Sequence, residues 1–333
     1  MQAFIVHRYG DPTARRIGEV PLPEPASDEV LVKVHAAGIN PLDSKLAAGA
    51  YKAVLPYRTP FILGHDLAGV VERIGRGVTR FQPGDAVFAR PRDGRIGTLA
   101  AFIAVNEADL ARKPANLTME QAASLPLVGL TAWQILVERA HVEAGQKVLI
   151  HAGSGGFGTI AIQLAKHLGA HVATTTGPAN LALVQRLGAA VAVNYRSERF
   201  EDRLEGYDLV INTQDKATLE RSIGVLKPGG QLISLSGPPD AEFAREAGLN
   251  PLLRLVVGAM SAAIRRKARR HAVRYAFHLM RASGAQLERL TPLLENGTIQ
   301  PVVDRIYPFA QIAEAFAHLE SGHARGKLVV RID

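Results

Sequence analysis

The sequence predicts an α/β protein in two parts, a doubly wound parallel sheet joined to an all-β, barrel-like domain. Three observations predict it. A Gly-rich turn, Gly153-x-Gly155-x-x-Gly158, stands between an apolar strand and a helix. From residue 147 onward, strand-like and helix-like segments alternate, which is the rhythm of parallel strands joined by crossover helices. Residues 1–120 instead carry short strand-like runs between turn residues. A chain of 333 residues is long enough for two full cores.

In chain order, strands are expected at 1–7, 30–34, 69–71 and 85–88, punctuated by Gly75, Gly77 and Pro83-Gly84. Thr118 is the predicted N-cap of a helix, with Gln121 as its capping-box partner. A second helix is predicted over 129–139. Strand 147–152 then leads into helix 158–168, where Ala161, Leu164, Ala165 and Leu168 share one face. Strand 171–175, helix 179–187, strands 190–193 and 207–212, helix 216–226 and strand 231–236 follow. Three helices are expected to end on glycine, at Gly169, Gly188 and Gly229-Gly230. A helix near 310–320 and a last strand over 327–332 return to the first domain. The expected domains are thus 1–122 with 285–333, and 123–284.

No basic-then-apolar leader precedes the opening strand, and no apolar run reaches the ~18–20 residues of a membrane span. The chain has no cysteine, which excludes disulfides and thiolate metal sites and fits a reducing, cytoplasmic location. The net charge of +8 is local. Eight basic residues and no acid lie between 254 and 281, and removing them from the 39 basic residues leaves 31 against 31 acids. A general nucleic-acid surface is therefore not expected. The segment 252–281 interleaves these arginines with Leu252, Leu253, Leu255, Val256, Val257, Met260 and Ile264. It reads either as an amphipathic helix touching an anionic membrane or as a helical cover with a solvated basic face.

Several co-linear motifs carry a family resemblance. They are Gly38-Ile39-Asn40-Pro41-Leu42-Asp43, Gly64-His65-Asp66-Leu67-Ala68-Gly69-Val70-Val71 and Val78-Thr79-Arg80-Phe81-Gln82-Pro83-Gly84-Asp85. Leu125-Pro126-Leu127-Val128-Gly129-Leu130-Thr131-Ala132-Trp133, the Gly-rich turn and Gly326-Lys327-Leu328-Val329-Val330 complete the set. Over essentially its whole length the chain resembles the medium-chain dehydrogenase/reductase superfamily, in its zinc-independent, zeta-crystallin-like quinone oxidoreductase branch. The resemblance implies a GroES-like barrel followed by a Rossmann domain, an active site in the cleft between them, and a homodimer joined through an edge strand at 231–236.

Zinc-dependent relatives carry a cysteine near Asn40, a His-Glu pair near His65-Asp66 and a further cysteine. A catalytic zinc needs three protein ligands. Asn40 stands at the first position and only His65 survives, so no metal is expected. The cofactor is expected to be NADPH. NAD-binding domains place an acid about 20 residues past the fingerprint, and 173–180 contains none. The residues assigned to cofactor binding are Gly153, Ser154, Gly155, Gly156, Phe157, Gly158, Thr175, Thr176 and Asn180. The resemblance adds Tyr195 at the 2′-phosphate, Ser236-Gly237 at a strand end, and Thr131 and Lys327 beside the cofactor. Asn180 stands where relatives have lysine, and Arg196 follows Tyr195. Tyr195 alternatively reads as a core aromatic, and Thr131 as a helix residue beside Trp133.

Without a metal, charge developing on an acceptor oxygen must be met by hydrogen-bond donors. Asn40 and Lys45 are the candidate catalytic donors, in the loop that zinc relatives use for their metal. Lys45 also reads as a solvated surface lysine. Tyr51 and Tyr57 are candidate substrate contacts. The expected function is NADPH-dependent hydride transfer to quinones or α,β-unsaturated carbonyls. Reduction of enoyl thioesters or alkenals is the alternative within enzymes. A non-catalytic cofactor-binding protein with a structural or nucleic-acid-associated role is the alternative outside them.

Overall fold

Alternating apolar strands and helices after residue 147 build one six-stranded sheet in which every neighbouring pair is parallel. Its order is Val191–Asn194, His171–Thr176, Lys147–Ile150, Tyr207–Asn212, Leu226–Ser234 and Arg274–Phe277. The first crossovers run outward on one side of Lys147–Ile150, and the chain then returns to the other side. Ligands bind such sheets at the carboxyl ends of the strands beside that reversal. Val148, Leu149 and Ile150 are fully buried, as expected of a parallel strand covered on both faces. The helix Gly156–His167 covers one face with Ile160, Ala161, Leu164 and Ala165.

The computed structural model describes residues 1–52 and 55–332 and divides into two units, Met1–Leu130 with Arg281–Asp333, and Thr131–Met280. In the first unit a seven-stranded sheet centres on the long strand Glu29–Ile39, and a small sheet pairs Gln2–Val6 with Arg15–Glu19 and Phe61–Ile62. The Thr118 capping box forms as predicted and starts Met119–Ala123. That helix packs so closely on the sheet that a Cβ at Gly38 would lie 2.5 Å from the Ala123 carbonyl. Residues 119–130 therefore join the barrel unit, beyond the expected boundary at 122. Leu328 pairs with Ile39 in antiparallel register, which is how the last strand returns to this unit.

Four expectations need correction. The segment after Asn40 is a helix, Pro41–Ala47, not a loop; Pro41 fixes its first φ and Asp43 reaches back to the Asn40 N–H. Lys227-Pro228-Gly229-Gly230 is no helix end but the irregular start of Leu226–Ser234, where the register shifts and Gly229 takes φ 84°. Residues 252–281 form two helices, Pro251–Met260 and Ala262–Arg270, and then the sixth strand. That strand pairs with 231–234, so 231–236 is not a sheet edge and cannot join two copies there.

Candidate functional site: the Gly-rich turn and a buried lysine cluster

In Thr131–Met280, the strand Lys147–Ile150 ends in His151 and Ala152, and Gly153 donates its N–H to the Thr175 carbonyl at 3.0 Å. Gly153 has room for no side chain, since a Cβ there would sit 2.1 Å from Thr174 Oγ1. Gly155 caps the helix with no side-chain acceptor, and Gly156, Phe157 and Gly158 form its first turn. Uncapped N–H groups at a helix start, with the positive end of the dipole, suit a pyrophosphate. Beside the turn, Ser154 Oγ accepts from Thr176 Oγ1 at 3.0 Å and from Asn180 Nδ2 at 3.2 Å. The Asn180 Oδ1 is buried with no partner among the described residues. Tyr195 is 60% exposed rather than a core aromatic. Thr131 is buried in the helix Pro126–Trp133. Ser236 Oγ donates to the Gln214 carbonyl, and Gly237 begins a cis bond to Pro238. Glycines without Cβ room, hydroxyls and a free helix start are a donor set that fits a dinucleotide phosphate.

A cavity of about 190 Å³ opens at these strand ends, lined by His151, Thr175, Tyr195, Gln214, Thr218 and Arg221 among others. Sequence reasoning missed His151, although a histidine closing an apolar strand was the available signal. Its Nδ1 lies 3.1 Å from Thr175 Oγ1 and its Nε2 2.9 Å from Ser222 Oγ, while Thr175 Oγ1 also takes the Ala152 N–H. Burial, with the Arg221 guanidinium nearby, lowers its pKa from 6.5 to about 4. The unfolded chain therefore binds the extra proton first as pH falls, and stability drops through the window from 6.5 to 4. The loss is on the order of 3 kcal/mol. Urea unfolding at pH 7 and pH 4.5 checks this: His151→Gln should lose part of the wild-type acid sensitivity, and equal sensitivity in both proteins refutes it.

In the other unit, a buried cluster forms around Asn40. Lys327 stands where the last strand meets the end of Glu29–Ile39 and is 5% exposed. Its ammonium donates to the Ile39 carbonyl at 3.1 Å, to Asp66 Oδ2 at 3.0 Å and to Asn40 Oδ1. Asn40 Nδ2 donates to the same Asp66 oxygen at 2.9 Å, and the Leu127 N–H caps the other at 2.7 Å. Asp43 takes the Asn40 N–H at 2.8 Å and meets His65 Nδ1 at 2.6 Å. An amide has two N–H donors, so Asn40 keeps one beyond its bond to Asp66. Lys327 is thus placed as the group that orients Asn40. Lys45 is exposed on the helix. Tyr51 and Tyr57 are half-buried against an apolar core that includes Phe4, Ile39, Leu46 and Leu63; the Tyr57 ring stacks on Phe61 at 5.4 Å and its hydroxyl accepts from the Gly94 N–H. Burial raises both phenols. Asp43 and Asp66 are members of the site that sequence reasoning did not name, though both lie inside the quoted motifs.

Residues 26–115 match the alcohol dehydrogenase GroES-like domain, and 187–330 match a family described as zinc-binding dehydrogenase. The NADPH-dependent alkenal/one oxidoreductase of Arabidopsis thaliana chloroplasts is 35% identical over 99% of this chain and 79% of its own length. The mitochondrial NAD(P)H oxidoreductase RTN4IP1 of Danio rerio is 34% identical over 100% of this chain and 91% of its own. Among solved structures, the quinone oxidoreductase of Coxiella burnetii superposes with a TM-score of 0.87 at 30% identity, covering 100% of this chain and 99% of that one. The chain belongs to the quinone oxidoreductase branch of the medium-chain dehydrogenase/reductase superfamily. It is an enzyme whose residues do not fit the zinc that one family description names. Cysteine is absent, Asn40 stands at a ligand position, and the Lys327 ammonium already neutralises Asp66. A second cation beside that ammonium would meet repulsion rather than a vacant carboxylate.

Proposed function

We propose that the enzyme reduces quinones or α,β-unsaturated carbonyls with NADPH and without a metal. NADPH supplies the hydride; the protein orients both reactants and meets the charge that develops on the acceptor oxygen. The observation that carries the reading is the strand end at 174–180, which contains no carboxylate and places the Thr176 hydroxyl and the Asn180 amide beside Ser154 of the Gly-rich turn. A 2′-phosphate is tolerated there, whereas a carboxylate would repel it. The relatives support it, one being named NADPH-dependent and acting on alkenals, another being named a quinone oxidoreductase. The remaining Asn40 N–H and the exposed Lys45 are the donors proposed for the acceptor oxygen. Oxidation of NADPH and NADH against quinones, enals and enoyl thioesters tests this. Turnover of quinones or enals with NADPH is expected, and no NADPH oxidation across the panel overturns it.

Arg196 is proposed to supply the cation that Asn180 does not. Its neighbours Arg199, Arg203 and Arg221 are paired with Glu201, Glu198 and Glu201 respectively. Arg196 is exposed beside Tyr195, and no acid among the described residues pairs with it. Loss of one charge-assisted phosphate contact weakens binding about tenfold to a hundredfold. Arg196→Ala should therefore raise the KM for NADPH by that factor while leaving the KM for NADH unchanged. Equal effects on both coenzymes would refute the assignment. For the expected homodimer, the strand we propose for pairing is the outer one, Arg274–Phe277, in place of 231–236.

A further inference from the structure

The helices Pro251–Met260 and Ala262–Arg270 belong to neither the Gly-rich turn nor the lysine cluster. The first buries only Val257 and Gly258 of its ten residues. Leu252 and Leu255 are each 72% exposed and Met260 57%, with Leu253 and Val256 exposed beside them. Among the described residues these five make up most of the exposed large apolar side chains, and they lie within nine residues. Scattered exposed apolar residues are ordinary, but a contiguous group marks a contact surface. The next helix buries Ile264 and Ala268 and exposes Arg266, Lys267, Arg269 and Arg270. Lys267 is paired with Glu220; no acid among the described residues pairs with Arg266, Arg269 or Arg270.

We propose that this helix pair docks the enzyme on an anionic lipid bilayer, with the apolar helix in the headgroup boundary and the arginines against the lipid phosphates. Charge selects the occupant. The stretch from 247 to 287 contains no acidic residue, and the segment 254–281 carries the entire net charge of +8. A second copy of this chain would bring the same unneutralised cations face to face, which opposes self-association through this patch. An anionic surface satisfies both halves at once, since apolar burial and electrostatic attraction add in interfacial helices. A ten-residue helix lies on a bilayer and does not cross it. The proposal rests on exposed side chains outside the catalytic reading and stands or falls separately from it. If the acceptor is a lipophilic quinone, docking places the enzyme at the phase that holds it.

The test is flotation of the full chain with phosphatidylglycerol vesicles and with phosphatidylcholine vesicles, alongside NADPH turnover on a water-soluble acceptor. Binding to phosphatidylglycerol alone, reversed by high salt, is expected. Each arginine near an anionic surface is worth about a factor of five, so Arg266→Gln/Arg269→Gln/Arg270→Gln should weaken partitioning about a hundredfold. Leu252→Ser/Leu255→Ser should weaken it too, with soluble turnover and melting temperature unchanged in both variants. Three results overturn the proposal: no flotation with phosphatidylglycerol at low salt, flotation that neither variant alters, or a dimer that Leu252→Ser/Leu255→Ser dissociates. A wild-type enzyme that floats but turns over nothing would refute only the catalytic reading.

Discussion

Lys327→Met should cost about 3–5 kcal/mol of stability, the penalty for leaving a buried charge without its partner. Among the described residues the ammonium is the one cation touching Asp66, which is fully buried and also bonded to the Asn40 amide and the Leu127 N–H. Removing it leaves that carboxylate uncompensated and frees Asn40 Oδ1 as well. A loss of this size lowers the melting temperature of the barrel unit by ~10 °C. The double variant Lys327→Met/Asp66→Leu should recover a large part, because exchanging both partners of a buried pair for apolar groups is far cheaper than removing one. A double variant no more stable than Lys327→Met would show that the cluster is held by packing rather than charge. Activity separates the roles further. If Lys327 acts through Asn40, Lys327→Met should lower kcat at temperatures where the variant is fully folded.

That cluster was hidden from the sequence for a physical reason. Asn40 and Lys327 are 287 residues apart, and they meet because the last strand pairs antiparallel with Glu29–Ile39. Local pattern carries no information about such a pairing. The parallel sheet was legible because each strand and helix announces itself within a few residues. Tyr207–Asn212 occupies its expected span, and the Thr118–Gln121 box forms because both partners lie in one turn. The helix Pro41–Ala47 was missed among strand-rich surroundings, although Asn40, Pro41 and Asp43 form an N-terminal capping pattern. Arg274–Phe277 was missed because the arginines before it dominate the local pattern, and its partner residues, Gln231 to Ser234, lie far upstream. Sheet order, and hence which strand is the edge, is a tertiary property. The Gly-rich turn was legible because strand, turn and helix start are all local. The contacts of the Asn40 cluster were not, because Asn40, Asp66 and Lys327 come from three distant segments.

Gly158→Ala and Gly155→Ala should separate what the turn does for the fold from what it does for the coenzyme. At Gly158 a Cβ would lie 2.5 Å from the Ala152 carbonyl oxygen and 2.6 Å from Gly153 Cα, both backbone atoms that cannot swing aside. The helix start must then move off the strand, at a cost of about 3 kcal/mol, and its first N–H groups move with it. NADPH affinity should fall at least ~100-fold, since a misplaced helix start loses several phosphate bonds at once. Gly155 is different. A Cβ there meets only the Ala152 carbonyl at 3.4 Å, an ordinary contact, and its φ of −79° suits any residue. Among the described residues nothing requires glycine at 155, so Gly155→Ala should change stability by less than about 1 kcal/mol. If a pyrophosphate lies against that backbone, the same methyl group stands in its path, and NADPH should bind at least ~10-fold more weakly. Isothermal titration of both variants, with urea unfolding alongside, distinguishes the two. A Gly155→Ala enzyme that binds NADPH like the wild type would mean that the phosphates do not approach the second glycine of the turn.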